Sequence, residues 1–176
     1  MADTSNVLHS VWLCPGSQSM SQFRSIIEEF RTLSGTAAFA PHITLLGDLS
    51  GCPKQTERNC RDVLGHLGPL HARVREVSRS DAFFMSLLLD LELTPEIDAC
   101  RDVLAKSLML PAQELFRPHL SLAYGLSQKQ SESDDIVVRA DAFVELVFPL
   151  THLAIVVAAQ NTPICDWRHL RHIPMG

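Results

Sequence analysis

Hydrophobic and polar positions change rhythm several times along this chain. Val7 to Cys14 is a short run rich in β-formers, halted by Pro15-Gly16, and is predicted to be a strand. Phe23, Ile26, Ile27, Phe30 and Leu33 then recur at helical spacing, after N-cap candidates between Ser17 and Ser21 and before a stop at Gly35. Pro41 opens a second strand, where its missing N–H does least harm. The loop Ser50-Gly51-Cys52-Pro53 leads into a helix over about Lys54 to Leu67, with Val63, Leu64 and Leu67 inward and Gly68-Pro69 as breaker. Leu70 to Ser78 alternates, with Leu70, Ala72, Val74 and then Glu76 on one face, and reads as a strand.

Phe83 to Leu93 is almost wholly apolar and fits a strand buried on both faces, with a helix as the other option. Thr94-Pro95-Glu96-Ile97 is a helix start, with a threonine N-cap, proline at the first position and an acid in the first turn. That helix should run to about Met109, before Pro111. A strand ending at Tyr124-Gly125 follows. Ser127 to Asp135 is polar, with room for a helical turn, and its middle is the segment expected to be most mobile. Phe143 to Phe148 and Leu150 to Ala159 read as two strands separated by Pro149, and Asp166 to Gly176 as a polar tail able to add a short edge strand.

The order of elements repeats. Strand, helix, strand, helix, strand runs through the first half and starts again at Phe83. This predicts an α+β protein, a bilobal and duplicated fold with pseudo-two-fold symmetry. Two largely antiparallel sheets would surround a central cleft. Residues 1–176 form one domain of two lobes, with approximate repeat units 1–80 and 81–165.

The repeat carries a motif. Pro41-His42-Ile43-Thr44-Leu45 and Pro118-His119-Leu120-Ser121-Leu122 share the order proline, histidine, aliphatic, hydroxyl, aliphatic. Strand side chains alternate between faces, so His42 and Thr44 share one face, as do His119 and Ser121, about 7 Å apart along each backbone. Ile43, Leu45, Leu120 and Leu122 point to a core. A lone His-x-Thr is usually a histidine bonded within its fold. Two copies at matching places favour a shared site.

Composition narrows the chemistry. A chain of 176 residues with 46% hydrophobic residues can bury a sizeable core. The net charge of -5, with Lys and Arg scattered, argues against a duplex-binding surface and leaves room for a small phosphate ester. The N-terminus lacks the pattern of a secretory signal, and no apolar run is long enough for a membrane helix, so a soluble, cytoplasmic monomer is expected. Cys14, Cys52, Cys60, Cys100 and Cys165 are odd in number and contain no Cys-x-x-Cys, which favours reduced thiols. A Cys60–Cys165 bridge would need a proximity that sequence does not show.

Histidine titrates closest to neutrality, so two imidazoles flanking a phosphorus atom can serve as a base and acid pair. Thr44 and Ser121 would donate hydrogen bonds to the non-bridging oxygens. Neither motif has an acidic metal-ligand cluster beside it, and no cofactor is expected. His169 and His172 are three apart in the tail, but spacing alone is weak support for a metal.

The two motifs, the longer run Phe116 to Gly125 and the opening Ser10-Val11-Trp12-Leu13-Cys14-Pro15 resemble the 2H phosphoesterase superfamily, and most of all its cyclic nucleotide phosphodiesterase branch in plants and yeast. The resemblance spans the chain in layout and is specific at the motifs and near Trp12. It implies a bilobal fold and a central water-filled cleft. It also implies metal-independent opening of ADP-ribose 1″,2″-cyclic phosphate to the 1″-phosphate, and of nucleoside 2′,3′-cyclic phosphates to 2′-phosphates. His42 and His119 would be the proton-transfer pair, Thr44 and Ser121 the phosphate ligands, with serine replacing threonine in the second motif.

Trp12 and Tyr124, and more weakly Phe84, are candidates to stack on a base or sugar. Arg117 could steer an anion or be a plain surface charge, and His9, His66, His71 and His152 read as surface or structural. The expected partner is a small cyclic phosphate, without a membrane or a stable nucleic-acid partner. Two other readings compete: an RNA-end-processing or 2′–5′ RNA ligase-like enzyme using the same site, and a nucleotide-binding module without catalysis. Which histidine is the base stays open at this stage.

Overall fold

The computed structural model describes residues 7–64, 67, 69–111, 115–159 and 161–175. Strand β1 (His9–Pro15) is followed by helix α1 (Ser17–Ser34), β2 (Ile43–Leu49), α2 (Pro53–Leu64) and β3 (Leu70–Ser78). Then come β4 (Leu87–Leu91), α3 (Pro95–Ser107), β5 (His119–Ala123), the short helices α4 (Gln128–Ser131) and α5 (Asp134–Asp141), β6 (Val147–Val157) and β7 (Arg168–Pro174). The protein is α+β, with strands in the order β2-β1-β6-β3-β4-β5 and β7 added to β6, every pairing antiparallel.

The long strand β6 joins the two ends of this path. Its first residues pair with β3, from Val147↔Arg73 to Leu150↔Leu70. Its remainder pairs with β1 on one edge and β7 on the other. The grouping therefore crosses the sequence halves, since β3 sits beside β4 and β5 while β6 sits beside β1 and β2. The motif strands β2 and β5 terminate the path at opposite ends, yet they lie close to one another. The path curls back until its ends meet.

Local chemistry accounts for the element boundaries. The Thr94 hydroxyl accepts from the Ile97 N–H, Pro95 opens α3 and Glu96 and Asp98 sit in its first turn, so the predicted start is the observed one. Gly35 ends α1 in the left-handed conformation, its N–H donating to the Arg31 carbonyl. Gly16, and no serine, occupies the N-cap of α1. Phe23, Ile26, Ile27 and Phe30 bury the inner face of α1, whereas Leu33, assigned to the same stripe, is exposed. Each fully buried large side chain stabilises the fold by about 1.5–3 kcal/mol. In α2 the buried set is Pro53, Thr56, Cys60, Val63 and Leu64, with Leu67 packed against the core beyond the helix end.

Three predicted elements differ. Only Leu87–Leu91 of the apolar run is strand, buried at every position, while Phe83–Met85 forms a 3₁₀ turn. The turn is fixed because the Phe83 carbonyl accepts the Gly125 N–H and the Met85 carbonyl accepts the Ser80 hydroxyl. Pro149 does not divide two strands. It lies within β6, where its fixed φ suits extended chain and its carbonyl accepts the Gly16 N–H. The residues 143–146 ahead of it are turn and loop. The polar stretch after Gly125 contains α4, closed by a Ser127–Gln130 capping box, and leads into α5.

The alternation in β3 holds through Val74 and then breaks, because the register shifts between Val74 and Glu76. Val77, not Glu76, turns partly inward as a result. The tail supplies β7 as expected. All five cysteines are free thiols, Cys60 buried and Cys165 exposed. Among the described residues no helix is long and apolar enough to cross a membrane.

Gly125 ends the second motif with φ +66, and a Cβ there would stand 2.6 Å from the Phe83 ring. Gly125→Ala is expected to lower unfolding stability by about 1–2 kcal/mol, the combined effect of a left-handed alanine and a displaced ring. Urea denaturation checks this, and an unchanged midpoint would show that the turn accommodates a side chain freely.

Candidate active site

The two motifs are built alike. In each, the residue before the proline is held extended by the ring that follows it. Its carbonyl then accepts the histidine Nδ1–H: Ala40 from His42 at 2.6 Å and Arg117 from His119 at 3.1 Å. A carbonyl can only accept, so Nδ1 carries the proton in both rings and Nε2 is the nitrogen left for chemistry. The aliphatic partners Ile43, Leu45, Leu120 and Leu122 are buried in the main core.

His42, Thr44, His119 and Ser121 line one cavity of about 240 Å³, together with Trp12, Phe84 and Tyr124. The structure thus brings all seven residues singled out from sequence to the same place. The Ser121 hydroxyl donates to the Phe84 carbonyl at 3.3 Å. Ser10, Gly47, Asp48, Met85 and Trp167 also line the cavity and were not singled out. Trp167 was legible only as an aromatic in a polar tail. Gly47-Asp48 carried a weak signal, since glycine inside a strand pattern marks a bulge.

The aromatics differ in role. Trp12 lies flat on His42, with ring centroids 3.5 Å apart and an interplanar angle of 10°. Tyr124 is buried and stacked on Phe39 at 3.9 Å. Burial pushes the Tyr124 phenol well above its ordinary range, against the hydrogen bond with Ser121, so it stays protonated. Phe84 sits on the 3₁₀ turn, not on a strand matching that of Trp12, and faces Trp167 nearly parallel at 6.0 Å.

The two histidines sit in unequal surroundings. Burial, partly offset by the bond to Ala40 and reinforced by the charges of His119 and His169, lowers the His42 pKa to about 3. His42 is therefore neutral at pH 7. His119 is less buried and rests on a different support. Its strand neighbour Asp90, itself buried, accepts two hydrogen bonds from Arg117, at 2.8 and 2.6 Å, and a third from Ser78. Arg117 is thus a tether for the carbonyl that orients His119, rather than a loose surface charge.

The remaining histidines divide. His9 is buried, with Nδ1 donating to the Val7 carbonyl and Nε2 bonded to Thr56. His71 is exposed, and His66 lies outside the described residues. The His152 ring lies 4.0 Å from that of His172 at a tilt of 34°, and burial followed by the charges of His172 and His169 lowers its pKa to about 4. Among the described residues no group of three or more His, Cys, Asp or Glu is placed to hold a metal ion.

The lowered His42 pKa makes stability depend on pH. The unfolded imidazole takes up a proton near pH 6.5, whereas the native one does so only near pH 3. Between these values the unfolded chain binds more protons. This contribution is fully present above pH 6.5 and lost as pH falls toward 3. Unfolding free energy measured by urea titration should fall between pH 6.5 and 5 by on the order of 1 kcal/mol per pH unit. His42→Asn should flatten this slope without abolishing it, because His152 contributes in the same direction. An unchanged slope in the variant would show that His42 titrates normally.

The chain is similar to known proteins in sequence and in fold. A model of the 2′-5′ RNA ligase superfamily matches residues 20–162. A cyclic phosphodiesterase of Arabidopsis thaliana is 25% identical over 162 residues, covering 88% of this chain and 87% of that protein. The crystal structure of E. coli LigT in apo form superposes with a TM-score of 0.60 at 11% identity, over 97% of this chain and 98% of LigT. Its complex with 3′-AMP gives 0.59 at 11% identity over the same shares. A third LigT structure, with ATP, gives 0.57 at 11% identity, again over 97% and 98%. The chain belongs to the 2′-5′ RNA ligase superfamily, the 2H phosphoesterase enzymes that its paired histidine motifs resemble.

Proposed function

We propose that the protein is a metal-independent cyclic phosphodiesterase acting on small cyclic phosphates, with ADP-ribose 1″,2″-cyclic phosphate and nucleoside 2′,3′-cyclic phosphates as substrates. One observation carries the reading. Two imidazoles, each with Nδ1 tied to a backbone carbonyl, share a single small cavity with two hydroxyls. The name of the Arabidopsis relative supports the reaction class, and the small-molecule complexes of LigT support a small ligand. Duplication into two lobes is part of the same proposal, because matched motif strands at the two ends of one strand path are what it would leave.

His42 acts as the base. Burial keeps it neutral, and its free Nε2 lone pair takes a proton from water as the water oxygen bonds to phosphorus. His119, protonated on both nitrogens, donates from Nε2 to the departing ester oxygen as the P–O bond breaks. Proton exchange with solvent restores both rings. Thr44 and Ser121 donate to the non-bridging oxygens, where charge builds in the transition state. Phe84 and Trp167 flank the nucleoside portion, Trp12 holds and desolvates His42, and Tyr124 buttresses Ser121.

Each proton transfer is worth about 10²–10⁴ in rate, so His42→Ala and His119→Ala should each lose at least that factor. Phosphorus NMR of the purified protein with a cyclic phosphate and a chelator reads the loss and identifies the product. Near-normal rates in both variants would end the proposal. A diester with a nitrophenolate leaving group, which departs without a proton, should restore rate to His119→Ala and not to His42→Ala. The opposite pattern would reverse the assignment of base and acid.

A further inference from the structure

A second cavity adjoins the one that holds the two motifs. Its volume is about 220 Å³, and Trp12 and Trp167 line both cavities. Phe39, Val156, Ile164 and His169 line the second alone. It lies where two small apolar clusters meet. Trp12 and Val156 belong to one, Phe39 and Tyr124 to the other, and Trp167 packs against both. A gap of this size between packed clusters is large for a protein interior, where few voids exceed a water molecule.

The lining dictates the chemistry of an occupant. Among the described residues around this second cavity none is Lys, Arg, Asp or Glu. The indole N–H of Trp167 already donates to the Thr162 carbonyl at 3.0 Å. Aromatic rings and aliphatic side chains remain, and they favour a flat uncharged heterocycle over a phosphate. His169 is the one titratable side chain of the lining, and its exposure places it at the rim. Partial desolvation, then the charges of His172 and Arg24, lower its pKa. The ring is therefore neutral at pH 7 and offers one N–H and one lone pair, the complement of a base edge.

We propose that this second cavity is a nucleobase subsite that takes the adenine of ADP-ribose 1″,2″-cyclic phosphate, with His169 bonded to the edge of the adenine ring. This rests on the cyclic phosphodiesterase reading. In a nucleoside 2′,3′-cyclic phosphate the base is attached to the ribose that reacts, and Phe84 and Trp167 are the rings beside it. In the ADP-ribose compound the reacting ribose carries no base, and the adenosine follows a pyrophosphate. Its adenine needs a second aromatic site continuous with the first, and the shared walls Trp12 and Trp167 supply that continuity. Arg24, whose charge reaches His169, suits the pyrophosphate that precedes the adenine. A mononucleotide leaves the second cavity empty.

The test compares kcat/KM for ADP-ribose 1″,2″-cyclic phosphate and for cyclic UMP (2′,3′) in wild type, Ala38→Phe and His169→Ala. Ala38 is an exposed residue of the loop between α1 and β2 and lines only the second cavity, so a phenyl ring there fills it from outside the core. Stacking on one base is worth about 5–150-fold, and one hydrogen bond to its edge about 2–10-fold. The ratio of kcat/KM for the ADP-ribose compound to that for cyclic UMP should fall by at least about 5-fold in Ala38→Phe and by about 2–10-fold in His169→Ala. Both tryptophans of the chain line the cavity, so their fluorescence reports ADP-ribose binding directly. The Kd of ADP-ribose should weaken by at least about 5-fold in Ala38→Phe. A kcat/KM ratio unchanged within about two-fold in both variants would overturn the inference, as would an ADP-ribose Kd that Ala38→Phe leaves unaltered. Hydrolysis of neither compound by wild type, with the Kd difference retained, would end the cyclic phosphodiesterase reading and leave the adenine subsite standing.

Discussion

One hydrogen bond, made twice, underlies the candidate site. In each motif an imidazole Nδ1–H is fixed to the carbonyl two residues earlier, on the residue that precedes the proline. The proline holds that residue extended, and the carbonyl fixes both ring orientation and tautomer. Nε2 is therefore the nitrogen each ring keeps for the proposed proton transfers. Without this bond each imidazole could rotate or present the other nitrogen to the cavity.

The fold delivers these two units to one place through β6. That strand pairs with β1 and β7 along most of its length and with β3 at its start, and so couples the two parts of the sheet path. The ends of the path, β2 and β5, then approach one another. Alternation does the rest: aliphatic side chains of both motif strands enter the core while histidine and hydroxyl face the cavity. The packing that stabilises the protein and the geometry of the cleft are two faces of the same strands.

The symmetry is broken where chemistry benefits. His42 is covered by Trp12 and buried, which keeps it neutral. His119 is less buried, and the residue whose carbonyl orients it is clamped to Asp90. Two residues of one type thereby sit in different surroundings, as the proposed division into base and acid asks. No Lys or Arg stands among the described residues that line the cavity, whose polar side chains include hydroxyls and imidazoles.

Much of this was written in the chain. Hydrophobic periodicity and capping residues located every helix longer than α5 and most strands, because those signals are local: Thr94-Pro95 starts α3 and Gly35 ends α1 wherever they occur. The repeated Pro-His-x-hydroxyl pattern likewise marked the four residues that share the cavity. Other features had no local cause. The 3₁₀ turn at Phe83 depends on a bond from Gly125, and the continuity of β6 through Pro149 on β1 and β3 beside it. Trp167 reaches the cavity because the tail pairs with β6, and Asp48 because β2 bulges against β1. The sequence by itself determined which side chains could exchange protons with a phosphate ester and on which face of their strands they would stand. Only the tertiary structure decided that the two sets meet, and that one imidazole is buried beneath an indole while the other is not, because proximity and desolvation arise from contacts between distant parts of the chain.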